Sequence, residues 1–365
     1  MARQSSVVDP RTRPMLRWFA DNARDLPWRR NPTPYRVWVS EIMLQQTRVE
    51  AVREKYTAFL RRFPDVRKLA RASQEAVLVA WSGLGYYRRA RQLHAAAKLV
   101  VTNHDGKFPR DAAAIAALPG IGRYTAGAIG SIAWQQAVPI VDGNIERVFA
   151  RWHGIEGAIK SAPVARRLWT LAQSWVETGV AAGHSPCSLN QSLMELGALV
   201  CTPRAPRCGQ CPVAAHCRAR ATGSPESLPR RAAAAKAVPL QLVLAGLRDA
   251  GGRVWLQRRR GGESPLPAGL WEFPHCKGAA RSAKAKLESL LGCTMHRPGR
   301  PVQRKHSIMH WKITLTLLPA FMPQVGAAGP HVQGAQGRWF TPAQARKAAQ
   351  SGATAKLLQV LLAGE

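Results

Sequence analysis

Long apolar runs are missing from this chain of 365 residues. No stretch approaches the roughly 18 consecutive apolar residues that a membrane-spanning helix requires. None follows Met1, Ala2, Arg3 and Gln4 as the core of a secretory leader would. A soluble, cytoplasmic protein with no membrane partner is expected. Acidic side chains are scarce too: 21 Asp and Glu stand against 53 Lys and Arg, leaving a net charge of +32. That imbalance points to a polyanionic partner, most simply nucleic acid, although a coding bias toward Ala, Arg, Gly and Pro could produce it as well. Internal repeats are not evident. The seven cysteines are an odd number, four of them clustered, which argues against a secreted disulfide framework and for reduced thiols that bind a metal. Hydrophobic residues make up 46% of the chain, enough to give each of roughly two domains a core.

Residues 118–144 organise what is present. They begin Leu118-Pro119-Gly120-Ile121-Gly122-Arg123-Tyr124 and end Ile140-Val141-Asp142-Gly143-Asn144. Asp111 is a good N-cap for a short helix before them, and the proline and two glycines then predict a hairpin too tight for other residues. Glycines that bare successive N–H groups at a helix start form a donor site suited to a phosphate oxygen. Asp142 follows one helix later. It is expected to cap the helix over 144–153 and to stay ionised beside that helix N-terminus.

Upstream, three prolines in residues 27–34 mark an irregular loop after Arg24 and Leu26. The pattern over 35–62 predicts a single helix, with Trp38, Ile42, Val49, Val52, Tyr56 and Phe59 as its apolar stripe. Glu41 lies beside the buried edge of that stripe, where desolvation would raise its pKa, although glutamates are more commonly exposed. Trp81-Ser82-Gly83-Leu84-Gly85-Tyr86-Tyr87-Arg88-Arg89 reads as a glycine-hinged loop whose aromatics suit stacking on bases, with Tyr87 the one to turn inward.

Cys201, Cys208, Cys211 and Cys217 are close enough in sequence to surround one soft metal centre, and zinc is the default from the ligands alone. The stiff loop between the first two would hold Arg204 and Arg207 outward toward phosphates. Residues 221–238 read as a linker with an alanine tract. Beyond it an α+β domain is predicted, with strands over 240–247 and 253–258 paired as a hairpin, another strand over 312–318, and helices over 280–291 and near the C-terminus.

Together these motifs resemble the adenine DNA glycosylases of the MutY family, within the helix-hairpin-helix, endonuclease III-like superfamily. Leu26-Pro27-Trp28, residues 40–47, residues 83–87, the hairpin, Asp142-Gly143-Asn144 and the four cysteines all fall in family order. The resemblance implies an all-α helix-hairpin-helix glycosylase domain over 1–220 with an iron-sulfur loop, a linker over 221–238, and a Nudix (MutT)-like domain over 239–365. It implies a [4Fe–4S] cluster on the four cysteines, and a partner that is duplex DNA carrying 8-oxoguanine:adenine or guanine:adenine mispairs. A monomeric, nucleoid-associated protein is expected.

The resemblance also assigns roles. Glu41, Asp142, Tyr124 and Asn144 are catalytic. Arg24, Leu26, Trp28 and Arg29 line the adenine pocket. Gln46 and Tyr86 enter the duplex, Gly120 and Gly122 hold the strand, and His310 belongs to the loop that reads 8-oxoguanine. Lyases of the superfamily place a lysine where this chain has Tyr124, and a phenol cannot form an imine. Gly269-Leu270-Trp271-Glu272-Phe273-Pro274 marks the Nudix-like domain. Its following helix has Glu288 as its sole acid, which argues against nucleotide hydrolysis. Where many relatives read Phe-Ser-His, this chain has Ile308-Met309-His310, so the serine contact is missing in that register.

Overall fold

The structure, a computed structural model, describes residues 8–230, 236–259, 264, 266–296, 299–322, 330 and 335–363, without the side chains of residues 280 and 281. The alanine tract at 231–235 lies outside the described residues. By their contacts the residues form two units, 1–71 with 92–233 and 72–91 with 234–365.

The first unit is helical. Its elements are α1 (Thr12–Asn22), α2 (Pro34–Leu44), α3 (Val49–Arg62) and α4 (Val66–Arg71). After α5 (Gln74–Ala80), which belongs to the second unit, α6 (Arg88–His104) leads back into the first. There follow α7 (Ala112–Ala116), α8 (Arg123–Ala128), α9 (Gly143–His153), α10 (Ala162–Ala181), α11 (Pro186–Leu199) and α12 (Arg218–Ala221).

Helix α2 is buried nearly all round, as its predominantly apolar sequence suits, and starts on a Thr33 cap with Pro34 in the first turn. The single helix expected over 35–62 is two. Gln46 adopts φ +56° and breaks the ladder, although both halves keep their apolar stripes. Asp111 caps α7 through Ala114 N at 2.8 Å. In the hairpin that follows, Gly120 has φ +78°, and a Cβ there would lie 2.8 Å from Gln92 Cβ. Gly122 is different: it is extended at φ −97° and faces open space, so the backbone does not require glycine there.

The second unit is built on a seven-stranded sheet: β1 (Val238–Arg248), β2 (Val254–Arg259), β3 (Trp271–Glu272), β4 (His275–Lys277), β5 (Val302–Ile308), β6 (Trp311–Phe321) and β7 (Ala335–Phe340). The order is β3-β2-β1-β6-β5, with β4 also on β1 and β7 also on β2. The expected β1–β2 hairpin is splayed, with Arg248↔Val254 its single paired register. Strand β1 runs parallel to β6 along its whole length instead, as its continuous buried run suits a central strand covered on both faces. Alternation then divides the core. Leu242 and Leu244 face α15 (Gly352–Ala363), while Val243, Ala245 and Leu247 face α13 (Ala280–Leu291). The short α14 (Pro342–Lys347) adds Ala345 to the α15 side.

Candidate active site

Helix α2 carries Glu41 inward, 4% exposed. Burial pushes its carboxyl up to about 7. The Tyr124 hydrogen bond opposes the shift, the negative Asp142 adds to it, and Arg29 lowers it again. Tyr124, in the first turn of α8, donates to Glu41 Oε2 at 2.5 Å, and burial and the two carboxylates raise its own pKa well above the usual phenol value. Residues 83 positions apart in sequence thus meet in one bond.

Asp142 is the N-cap of α9. One carboxylate oxygen accepts from Asn144 N at 3.0 Å and Ile145 N at 2.8 Å, and the other accepts from Asn144 Nδ2 at 2.8 Å. Burial still outweighs these donors and raises its pKa, where the helix terminus alone was expected to keep it low. Sequence position identifies the cap but not how far the carboxylate is removed from water. Asn144 in turn accepts from Arg147 Nη2 at 2.9 Å. Arg147 continues to the carbonyls of Gly143, Gly197 and Cys201, at 3.1, 2.7 and 2.6 Å. The site is therefore tied through one guanidinium to the first cysteine of the cluster loop.

Arg24 and Arg29 converge on Glu195 of α11, a residue the sequence reading missed. Arg24 bonds it through Nε at 2.7 Å and Nη2 at 3.0 Å, and Arg29 through Nη2 at 2.8 Å. These contacts overcome burial and hold the Glu195 carboxyl down at about 2. Its signal was a lone acid in an apolar helical stripe. Leu26 and Trp28 are buried, and Trp28 meets Tyr56 edge-on at 5.6 Å. Gln46 is exposed, between α2 and α3.

In the second unit Tyr86 is 47% exposed at φ +46°, while Tyr87 is buried, as its inward direction predicted. Met309 and His310 form the exposed tip between β5 and β6; Met309 is 77% exposed at φ +52°, and His310 lies 4.9 Å from the Trp311 ring. Ser307 is exposed and accepts from Lys312 Nζ at 3.4 Å. Glu288 of α13 accepts from Met295 N at 2.9 Å.

Cys201, Cys208, Cys211 and Cys217 line one small, largely apolar pocket together with Arg151 and Trp152. Among the described residues no three His, Cys, Asp or Glu converge closely enough for a single metal ion. Four thiols lining one pocket suit an iron-sulfur cluster. Burial and the neighbouring sulfurs push Cys211 up to about 11, so this thiol needs a positive centre beside it to be thiolate. Arg151, also missed, sets Nη1 3.3 Å from Cys201 Sγ and reaches the Thr202, Pro203 and Leu228 carbonyls. Arg204 and Arg207 are exposed.

The same organisation recurs in known proteins. Residues 39–174 match the HhH-GPD superfamily of base excision DNA repair proteins, 201–217 the iron-sulfur binding domain of endonuclease III, and 243–360 the NUDIX domain. The fold is thus that of a base-excision DNA N-glycosylase with a [4Fe–4S] cluster and a Nudix-like second part. The chain is 35% identical to the adenine DNA glycosylase of Rattus norvegicus over 95% of this chain and 77% of that one. It is 40% identical to that of Arabidopsis thaliana over 71% of this chain but 46% of the relative. A thermostable thymine-DNA glycosylase structure superposes with a TM-score of 0.52 at 28% identity, over 58% of this chain and 95% of that one. The chain belongs to the adenine DNA glycosylase family. No helix among its described residues is long and apolar enough to cross a membrane.

Proposed function

We propose that the chain removes adenine mispaired with 8-oxoguanine or guanine in duplex DNA by hydrolysis, leaving the strand uncut. The observation that carries this is the pairing of Glu41, buried and half-protonated near neutral pH, with Tyr124 in the slot where a lyase has lysine. Adenine leaves poorly as an anion and readily once N7 is protonated, with positive charge building on the sugar. Glu41 supplies that proton. Asp142, whose three N–H contacts favour the ionised form against burial, stabilises the sugar cation, and the cation itself would draw its pKa down. Tyr124 and Asn144 hold the two carboxylates and the water.

Base extrusion costs a few kcal/mol. Gln46 and Tyr86 occupy the gap it leaves, and Arg24, Leu26, Trp28 and Arg29 receive the adenine. Gln46, Tyr86 and Met309 are all non-glycine residues with positive φ, a conformation that persists where the surroundings impose it. Gly120 and Gly122 take a phosphate at the hairpin, and the open space at Gly122 leaves its backbone approachable. Cys201, Cys208, Cys211 and Cys217 ligate the cluster, which supplies a rigid cross-link of the loop bearing Arg204 and Arg207.

In this reading residues 1–220 act as the glycosylase part, except that 72–91 pack with the second unit, 221–238 act as a linker and 239–365 as a partner-base reader, in a protein that works as a monomer. Glu288 already serves its own chain at Met295, and with no other acid on α13 the second part reads bases and does not hydrolyse nucleotides. Single-turnover assays on 8-oxoguanine:adenine, guanine:adenine and oxidised-pyrimidine duplexes test this. Adenine should be freed from the first two, and Glu41→Gln should abolish release. Efficient borohydride trapping of a covalent DNA adduct would falsify the hydrolytic assignment.

A further inference from the structure

Tyr86 belongs by its contacts to the second unit, with the whole of residues 72–91. Three anchors hold this segment. Glu75, on α5, accepts from Trp271 Nε1 at 3.1 Å and pairs with Arg258 at 3.0 Å. Tyr87 Oη donates to the buried Gln350 carbonyl at 2.7 Å. Arg91 donates to the Ala268 carbonyl, next to Gly269, where a Cβ would stand 2.8 Å from Arg91 Nη2.

The first two anchors end on one node. Trp271 N donates to the Ala349 carbonyl at 2.9 Å, and Trp271 bridges in parallel to Gln350. Two guanidiniums, of Arg258 and Arg338, lie 4.4 and 5.0 Å from the Trp271 ring centre. Glu75 and Tyr87, one on each side of Tyr86 in sequence, therefore grip the same place in the sheet.

Within the loop, Arg89 donates to the Leu84 and Gly85 carbonyls at 3.0 and 3.2 Å, and Trp81 Nε1 donates to the Gly85 carbonyl at 3.1 Å. The left-handed backbone at Tyr86 is over-determined by these bonds, as a strained and exposed aromatic must be if it is to hold one direction.

We propose that Glu75, Tyr87 and Trp271 are positioning residues that form a clamp through which the second unit aims Tyr86 into the duplex beside the partner base. The clamp rests on the assignment of Tyr86 to the duplex made above. It makes the partner-base reader responsible for the wedge, so that recognition of the base opposite adenine and insertion of the wedge depend on one set of contacts.

Tyr87→Phe removes the hydroxyl that bonds Gln350, Ser82 and Gly83 and keeps the ring, and Trp271→Phe removes the indole N–H that bonds Glu75 and leaves a smaller aromatic ring. The full-length, cluster-loaded protein is tested on a duplex with 2-aminopurine next to the partner 8-oxoguanine, whose fluorescence reports stacking without turnover. Each variant should slow single-turnover adenine release roughly fivefold and lose the fluorescence change, and neither loss should appear in a Tyr86→Ala background. Losses of equal size in that background, or an unaltered fluorescence change in both variants, overturn the clamp. Should Tyr87→Phe fold poorly, Glu75→Gln, which removes the charge facing Arg258, decides by the same two criteria. Failure of the wild type to free adenine sinks the proposed activity instead, and leaves the fluorescence to decide the clamp.

Discussion

Burial holds the Glu41 carboxyl at about 7, against an ordinary 4.5, so the folded chain binds this proton more tightly than the unfolded chain between those values. As pH rises through that window the side chain therefore destabilises the fold, by up to about 3 kcal/mol above pH 7. Glu41→Gln keeps an acceptor for Tyr124, and should raise the melting temperature at pH 8 while changing it little near pH 4.5. Activity should run the other way. Adenine release by the wild type should fall about tenfold per pH unit above 7 as the acid form is lost, and a single-turnover rate flat through pH 7 would remove Glu41 from the acid role. Glu41 was legible because it flanks Trp38 on a helix whose apolar period is plain. Asp142 was legible as a cap, since Asp-Gly-Asn precedes a helical run, but its dryness depends on remote chain. Glu195 showed only as a lone acid in an apolar helical stripe, and its role was not legible because the arginines that explain it lie some 170 positions earlier.

At the scale of elements, the contact of α9 with α11 decides whether the site keeps its shape. The two helices approach so closely at Gly197 that a Cβ there would fall 2.6 Å from Asn144 Cβ. Gly197→Ala should cost about 1–3 kcal/mol by overpacking and slow adenine release, because it pushes directly on the residue that braces Asp142. Arg147→Ala strips donors from three carbonyls, two of them on α11 and the cluster loop. It should destabilise by about 3 kcal/mol or more and lower the iron-to-protein ratio, as thermal melting and an iron assay would show. Retention of full iron content would mean that the loop stands without this brace. Periodicity located the helices but could not foresee the break at Gln46, where both flanking stripes continue in phase. It also placed β1 and β2 correctly as strands and paired them too simply, because a turn signal says nothing about the distant β6 that β1 prefers.

For the whole molecule, the charge of +32 predicts DNA binding that weakens steeply with salt. If Arg204 and Arg207 meet phosphates, replacing either by alanine should reduce the slope of log affinity against log salt by about 0.9. Binding titrations across a salt series check this, and an unchanged slope would place both side chains away from the backbone. What no linear scan could supply is the membership of residues 72–91, which sit early in the chain and pack with its end. The consequence is practical. A protein cut after the linker would keep this segment while losing Trp271, Gln350 and Ala268, the groups that anchor it. Its behaviour would then report two injuries at once, a missing reader and an unmoored wedge. Deletion is a blunt instrument for a protein whose parts are interleaved in this way, and point substitutions in the intact chain are the cleaner way to separate them.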